Sequence, residues 1–412
     1  MPKANLPKVR KILLAVFSAV LIFGAGYFFG IKGFSANFNK FPKVTINRTV
    51  PVNQGNLDFS LFWKVWDTLE AKYFDKSKIV PSQMVYGAIS GMVSAIGDPY
   101  TVFLPPSQNK VVEEDLSGSF EGVGIQIGYK GNQLAVIAPL PGSPAEKAGV
   151  KAGDFIVEIK DELKKIDRGT VGISLPDAVQ AIRGSAGTSV TLTLIREGSD
   201  QPIVIDIVRA NVQVPSVTLE FVGQNKDIAH IRLMKFGADT PSEWDSKINE
   251  ILANKSAKAV ILDLRNNPGG YLQGAVDIAS DFISPGSVAV IEERSDGSKK
   301  NYTVDNKLAR LVDLPVVVLV NGGSASASEI LAGALRDDRK AKLVGETTFG
   351  KGTIQEPEDL DGGAGLHITI AKWLTPSGFW VNEKGLEPDV KIKNDANATV
   401  DAQLDAAINL LK

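Results

Sequence analysis

Apolar positions change their spacing several times along the chain, and each change marks a boundary. Residues 12–31 are mostly apolar and carry no charge for 20 positions. At about 1.5 Å per residue, a helix of that length crosses a hydrocarbon core. Residues 32–55 are polar with scattered Pro and Gly, and read as a linker. Helical spacing follows: Phe62, Trp66, Leu69 and Tyr73 recur on one face, then Met84, Ala88, Met92 and Ile96 on another. This predicts a small helical subdomain over 56–117, with these aromatics and methionines as its core. From 118 to 212 the pattern shortens. Runs such as GVGIQIGY, QLAVIAP, DFIVEIK and SVTLTLIR are separated by Gly, Pro and Asp, which predicts a compact domain of short strands. One helix is expected at SLPDAVQAIRG, capped by Ser174 and ended by Gly184. Over 213–395 the units lengthen. KAVILDLRNNPGG reads as a buried strand and a Gly turn, and YLQGAVDIASDFI as an amphipathic helix. LPVVVLVNGGSASASEILAGALRD repeats that order, and AKLVGETTFGKGTIQ adds a strand, a Gly-rich loop and an extended piece. Strands alternating with helices predict an α/β core with a mainly parallel sheet. A short helix closes the chain over 396–412.

Composition narrows the function. A chain of 412 residues is long enough for two or three domains. The formal net charge is −2 and no run of Lys or Arg forms a phosphate-binding stripe, so nucleic acid is not an expected partner. The absence of cysteine excludes disulfides, thiolate catalysis and cysteine metal sites. Only His230 and His367 are present, so a Ser-His-Asp triad would have to use one of them. Both lie in alternating, strand-like segments and read as structural or surface histidines. Lys3, Lys8, Arg10 and Lys11 precede the apolar stretch and favour a cytoplasmic amino terminus. The expectation over 1–31 is a cytoplasmic tip and a retained transmembrane helix. A cleaved signal peptide is the alternative, and either way the bulk of the chain is exported.

Three Gly-rich loops carry candidate chemistry. NGGSASASE at 321–329 joins a buried strand to a helix. Unpaired N–H groups at a helix start stabilise negative charge, so a serine there can attack while nearby amides hold the oxyanion. Plain helix capping by Ser324 or Ser326 explains the segment equally well. Lys351 lies between two glycines. Folded into a site, its amine loses charge through burial and can take a proton from a serine. Gln355, four residues on, falls on the same face of an extended segment and can orient that amine. RNNPGG at 265–270 is a second strand-to-helix turn whose amides can complete an oxyanion hole, or simply a tight turn. GETTFGKG at 345–352 nearly matches a phosphate-binding loop, but Gly352 replaces the required Ser or Thr and no helix follows. Ser107 and Lys110 share the S-x-x-K spacing in a Pro-flanked loop with no supporting motif.

These motifs, with GDPYTVFL at 97–104 and LTPSGFWVNEKGLEPDV at 374–390, resemble the carboxyl-terminal processing (tail-specific) peptidases over most of the chain beyond the anchor. The resemblance implies a multidomain α/β protein. Its core would be a crotonase-like or Clp-protease-like spiral with a parallel sheet, and 118–212 would be an inserted PDZ-like domain. It implies Ser326 as nucleophile, Lys351 as base and Gln355 as orienting residue. The oxyanion amides would be those of Ala327 and either Gly269 or Gly270. No metal or cofactor is implied. In FEGVGI at 120–125, the amides of Gly122, Val123, Gly124 and Ile125 could meet a terminal carboxylate while the strand edge pairs with a substrate tail; an ordinary Gly turn in a structural domain is the alternative. Leu175 and Val179 would line a side-chain pocket. The expected function is extracytoplasmic cleavage of proteins with apolar carboxyl termini. The expected location is the cell membrane, and the terminal segments leave room for a homo-oligomer. The rivals are an inactive PDZ scaffold and a crotonase-like acyl-transfer enzyme.

Overall fold

A computed structural model describes residues 58–131, 133–173, 175–199, 201–304, 309–393 and 400–412. The apolar stretch 12–31, the linker 32–55 and the Ser174 cap lie outside them. Among the described residues no helix is long and apolar enough to cross a membrane.

The chain divides into two compact units, up to Gly87 and from Ala88 onward. In the first, the helix Ser60–Lys72 buries Trp66, whose indole N–H donates to Glu70 at 2.9 Å. Phe62, Leu69 and Tyr73 are 36%, 43% and 44% exposed, and Met92 and Ile96 further on are exposed too. The helical spacing was read correctly, but most of the stripe is not core. An amphipathic face is buried only where another layer covers it, and these side chains are covered only in part.

The second unit is built on a six-stranded sheet. Its order is Val217–Val222, Ile228–Leu233, Ala259–Asp263, Val316–Val320, Lys342–Gly345 and Val390–Lys391. The first pair is antiparallel and the remaining pairs are parallel. Both faces are covered. Val260, Leu262, Val318 and Val320 point to one face, which packs on the helices Thr240–Ala253, Leu272–Ala279 and Ala327–Arg339. Ile261, Val317, Leu319 and Val344 point to the other, against the terminal helix Ala402–Leu410. A doubly covered strand needs apolar residues at every position, which is why VVVLV runs unbroken. Each such Val or Leu contributes roughly 1.5–3 kcal/mol by leaving water.

A second, antiparallel sheet was not foreseen. Ala364–Leu374 pairs with Val102–Leu104, Val288–Arg294 and Thr353–Leu360, and Lys299–Thr303 extends it. Val102–Leu104 comes from the expected helical subdomain 56–117, so that segment is not wholly helical and part of it belongs to the core. Three residues are too short a strand to show a period. Between the sheets' contributions the 118–212 domain is inserted. Its entry and exit, Ser119–Gly122 and Ala210–Gln213, pair side by side as a two-stranded neck. Above the neck the sheet runs Ile125–Lys130, Gln133–Pro139, Phe155–Asp161, Ser189–Ile195, Ile203–Val208, with the helix Leu175–Ile182 packed against it.

Candidate active site

The buried strand Val316–Val320 delivers the chain to a tight turn and then to the helix Ala327–Arg339. Three serines sit there, and their environments separate them. Ser324 and Ser328 are fully buried and donate their hydroxyls to Leu264 O and Asn267 O, both at 2.8 Å. They fasten this turn to the 264–267 loop, as does the Ala325 N–H on Asn267 O at 3.0 Å. Ser326 alone of the three faces a cavity. It caps the helix with φ 54° and ψ −115°. A non-glycine residue held at positive φ costs of order 1–3 kcal/mol, and such strain persists where the surroundings enforce it. Capping does not compete with nucleophilic chemistry, because a capping hydroxyl accepts through a lone pair and keeps its proton.

The second turn leaves the strand Ala259–Asp263. Asn267 holds it, donating to Leu233 O at 2.8 Å and accepting from the Gly269 N–H at 2.9 Å. Gly269 packs directly on Ser326, since a Cβ there would lie 2.9 Å from Ser326 Cβ. Gly270 has φ 133°, and a Cβ there would meet Phe236 O at 2.2 Å, so only glycine fits. The Gly269 N–H is taken by Asn267. Among the described residues no hydrogen-bond acceptor is found for the N–H groups of Gly270 and Ala327.

The third loop is tied to the first by a carboxylate. Glu329 is fully buried. Its Oε1 accepts from the Thr348 hydroxyl at 2.6 Å and the Gly350 N–H at 2.7 Å. Its Oε2 accepts from the N–H groups of Ser326 and Lys351, each at 2.9 Å. One side chain thus fixes the backbones of both proposed catalytic residues. It also disposes of the phosphate-loop reading, because two amides of that loop are spent on a buried carboxylate. Glu329 was missed in the sequence, although serine followed three residues later by glutamate is a capping-box signal.

Lys351, Ser326 and Gln355 line one cavity of about 470 Å³, with Gly270 and an apolar wall of Leu272, Ile330, Ile354 and Trp373. Burial pushes the Lys351 amine below the ordinary lysine value, and the carboxylates of Asp98 and Glu329 offset only part of that. Its Nζ lies 5.1 Å from the centre of the Tyr100 ring. Gln355 does not bond to it. The Gln355 amide donates to the hydroxyls of Thr353 at 2.8 Å and Thr369 at 3.2 Å. The expectation that Gln355 fixes the amine is therefore not met in this arrangement. Lys351 precedes the strand Thr353–Leu360, which also shifts register between Ile354 and Gln355, so four-residue spacing does not set a common face. The histidines differ. His230 is buried between Glu220 at 2.8 Å and Asp263 at 3.1 Å, as a structural residue would be. His367 is no bystander: it lines the same cavity as Lys351. Burial first, and then the Lys351 charge, push its imidazole below the usual value. Ser107 and Lys110 lie in the helix Pro106–Ser117, not in a loop, and the Lys110 ammonium faces Glu114 and Glu121.

Comparison with known proteins decides the family. The profile of peptidase family S41 matches residues 227–392, a PDZ domain profile 136–196, and that of the activating protease CtpB N-terminal domain 21–106. The carboxy-terminal processing protease CtpA of Bacillus subtilis (strain 168) is 38% identical over 337 residues, covering 82% of this chain and 69% of that protein. The carboxyl-terminal-processing protease of Synechocystis sp. is 35% identical over 414 residues, covering 98% and 94%. The chain belongs to the carboxy-terminal processing proteases. Among solved structures, a photosystem II D1 C-terminal processing protease superposes with a TM-score of 0.50 at 32% identity, covering 85% of this chain and 96% of that one. The protein is a serine-type processing peptidase with a PDZ domain, and the acyl-transfer alternative loses its footing.

In this processing protease the PDZ domain presents its own groove. Ile125–Lys130 is an edge strand, and a cavity of about 490 Å³ lies between it and the helix Leu175–Ile182. Val123, Gly124, Ile125 and Val179 line it, as expected, together with Ile182 and Met234. Two expected residues do not. Gly122 is paired with Ala210 in the neck, and Leu175 packs into the domain's own core. Val179 and Ile182 line the groove, whereas Leu175, a turn earlier at the start of the helix, meets the core beside it. Arg183 borders both cavities, bonded to Glu114 at 2.9 Å and stacked over Phe120 at 4.8 Å.

Proposed function

We propose that the protein cleaves peptide bonds through a Ser326–Lys351 dyad, acting on proteins captured by their apolar carboxyl termini. The observation that carries this reading is the shared cavity: Ser326 is the one serine of its loop that enters it, and Lys351 enters it with a depressed amine pKa. The neutral Nζ takes the Ser326 proton as Oγ attacks the peptide carbonyl. The N–H groups of Gly270 and Ala327 hold the oxyanion, which favours Gly270 over Gly269 because the latter is committed to Asn267. The lysine then returns its proton to the leaving amine. Water attacks the acyl-enzyme with the same amine as base, which releases the carboxylate and restores the serine. Gln355 lines the same cavity as the amine and is held there by the hydroxyls of Thr353 and Thr369. The apolar wall suits an uncharged side chain before the cut bond.

Tail capture rests on the edge strand Ile125–Lys130 and its apolar groove, where strand addition supplies backbone hydrogen bonds and Val179 and Ile182 receive alternate side chains. The uncharged stretch 12–31 behind four basic residues supports a membrane anchor with the catalytic part outside the cytoplasm.

The test is cleavage, by the full-length chain in detergent, of a loosely folded protein ending in apolar residues. Ser326→Ala and Lys351→Ala are expected to lose about 10³-fold or more in kcat while still binding the tail, in line with removal of a nucleophile or its base. Turnover within tenfold of the parent in either variant would sink the dyad.

A further inference from the structure

The segment GDPYT at 97–101, part of the family pattern, reaches Lys351 and the strand position that holds Gln355. Tyr100 turns its ring to Lys351, with Nζ 5.1 Å from the centroid. An ammonium is attracted to the negative face of an aromatic ring within about 6 Å. The loop that carries the ring is fixed from behind. Asp98 Oδ1 accepts from the Tyr100 N–H at 3.0 Å, and Oδ2 from the Thr101 hydroxyl at 2.6 Å. The Thr101 oxygen accepts from the Thr369 N–H at 3.0 Å, and the Thr369 hydroxyl accepts from Gln355. One short loop therefore touches the lysine and braces the strand position that holds the glutamine. Tyr100 does not line the substrate cavity, whereas Lys351 and Gln355 do.

We propose that Tyr100 is a positioning residue for the peptidase reaction: its ring carries the Lys351 ammonium and sets the place from which the neutral amine reaches Ser326. This rests on Lys351 being the base. The ring favours the charged amine, so it opposes burial and keeps the lysine from losing its proton at too low a pH. The other charged or titratable groups around this pair are Asp98 on the same loop, Glu329 on the nucleophile helix, His367 on the neighbouring strand and Glu383 beside Tyr100, with Asp115 and Arg183 on the cavity wall. None of them is altered by the test below.

The test replaces Tyr100 in the full-length chain by phenylalanine, difluorophenylalanine and trifluorophenylalanine. Fluorine drains the face of the ring of negative potential with little change in its shape, so the fold is preserved. The expected result is a stepwise movement of the acid limb of kcat/KM to lower pH across the series, by about half to one pH unit in all. Tyr100→Leu, which removes the ring, is expected to lower kcat about tenfold with KM for the tail-bearing substrate unchanged. A limb that stays fixed across the fluorinated series, beside an inactive Lys351→Ala, overturns this inference alone. Activity that survives in Lys351→Ala overturns the dyad and this inference together.

Discussion

At the scale of single residues, one buried carboxylate ties the loops of the site together. Glu329 accepts four hydrogen bonds, two on each oxygen, from groups at and around Ser326 and Lys351. An amide has one oxygen and cannot accept at its nitrogen, so Glu329→Gln strands two donors in a buried site. Each buried donor left without a partner costs about 1–3 kcal/mol. The loops are expected to relax apart, and displacement of a reacting group by about 1 Å costs on the order of 10²-fold. The prediction is a kcat reduced about 100-fold with tail binding intact, measured by steady-state kinetics beside a binding isotherm. A kcat within threefold of the parent would mean that the turns hold without the carboxylate.

At the scale of elements, the Gly269–Gly270 turn is steadied from its far side. Asp263 ends its strand fully buried and is bonded by Arg265 through Nε at 2.9 Å and a terminal nitrogen at 2.6 Å, and by His230. Arg265 continues to Asp401 at 2.9 Å and Gln403 at 3.1 Å, the start of the terminal helix, whose Gln403 also donates to Ile392 O at 2.8 Å. The helix Ala402–Leu410 is thereby clamped to the turn that carries Gly269 and Gly270. Arg265→Leu leaves a buried carboxylate short of its cation, which costs about 3–5 kcal/mol. Denaturant unfolding of this variant is expected to show a loss of that size. A change below 1 kcal/mol would show that His230 suffices to hold Asp263.

At the scale of the whole molecule, stability and activity answer to pH in different windows. Burial alone would raise the Asp263 carboxyl, but hydrogen bonds from His230 and Arg265 and the Arg265 charge more than offset it, and it titrates far below the usual range. A group depressed in the folded state stabilises above its unfolded value and loses that contribution as pH falls through the folded one. Thermal stability is thus expected to drop below about pH 4, and less steeply in Asp263→Asn. Lys351, the proposed base, works at the other end. Its depressed amine gains its neutral form with rising pH, so activity climbs through a limb below the ordinary lysine value while the fold stays intact. Melting curves and kcat/KM measured over the same pH range separate the two; a rate that instead tracks the melting temperature would tie the limb to unfolding.

The same chain shows how far residue order alone reaches. Period and punctuation were enough for the buried parallel strands, the strand–turn–helix units and the inserted domain of short strands, because helix and strand periods and Gly turns are local properties. The loops with Ser326, Lys351 and the Gly269–Gly270 pair were legible for the same reason, as motifs at the ends of such units. Contacts were not legible. Helical spacing marked Phe62 and Leu69 as core, but burial needs a facing layer, which periodicity cannot supply. Three strand residues, Val102–Leu104, show no period, and only pairing with Ala364–Leu374 reveals them. Which serine faces the cavity was settled by where Ser324 and Ser328 find acceptors on a turn some 60 residues away. Gly270 was separated from Gly269 by one side chain, Asn267, taking an amide. Sequence alone determined the elements and the residue types that could do the chemistry. Tertiary structure decided their partners, because a hydrogen bond or a covered face belongs to two segments at once.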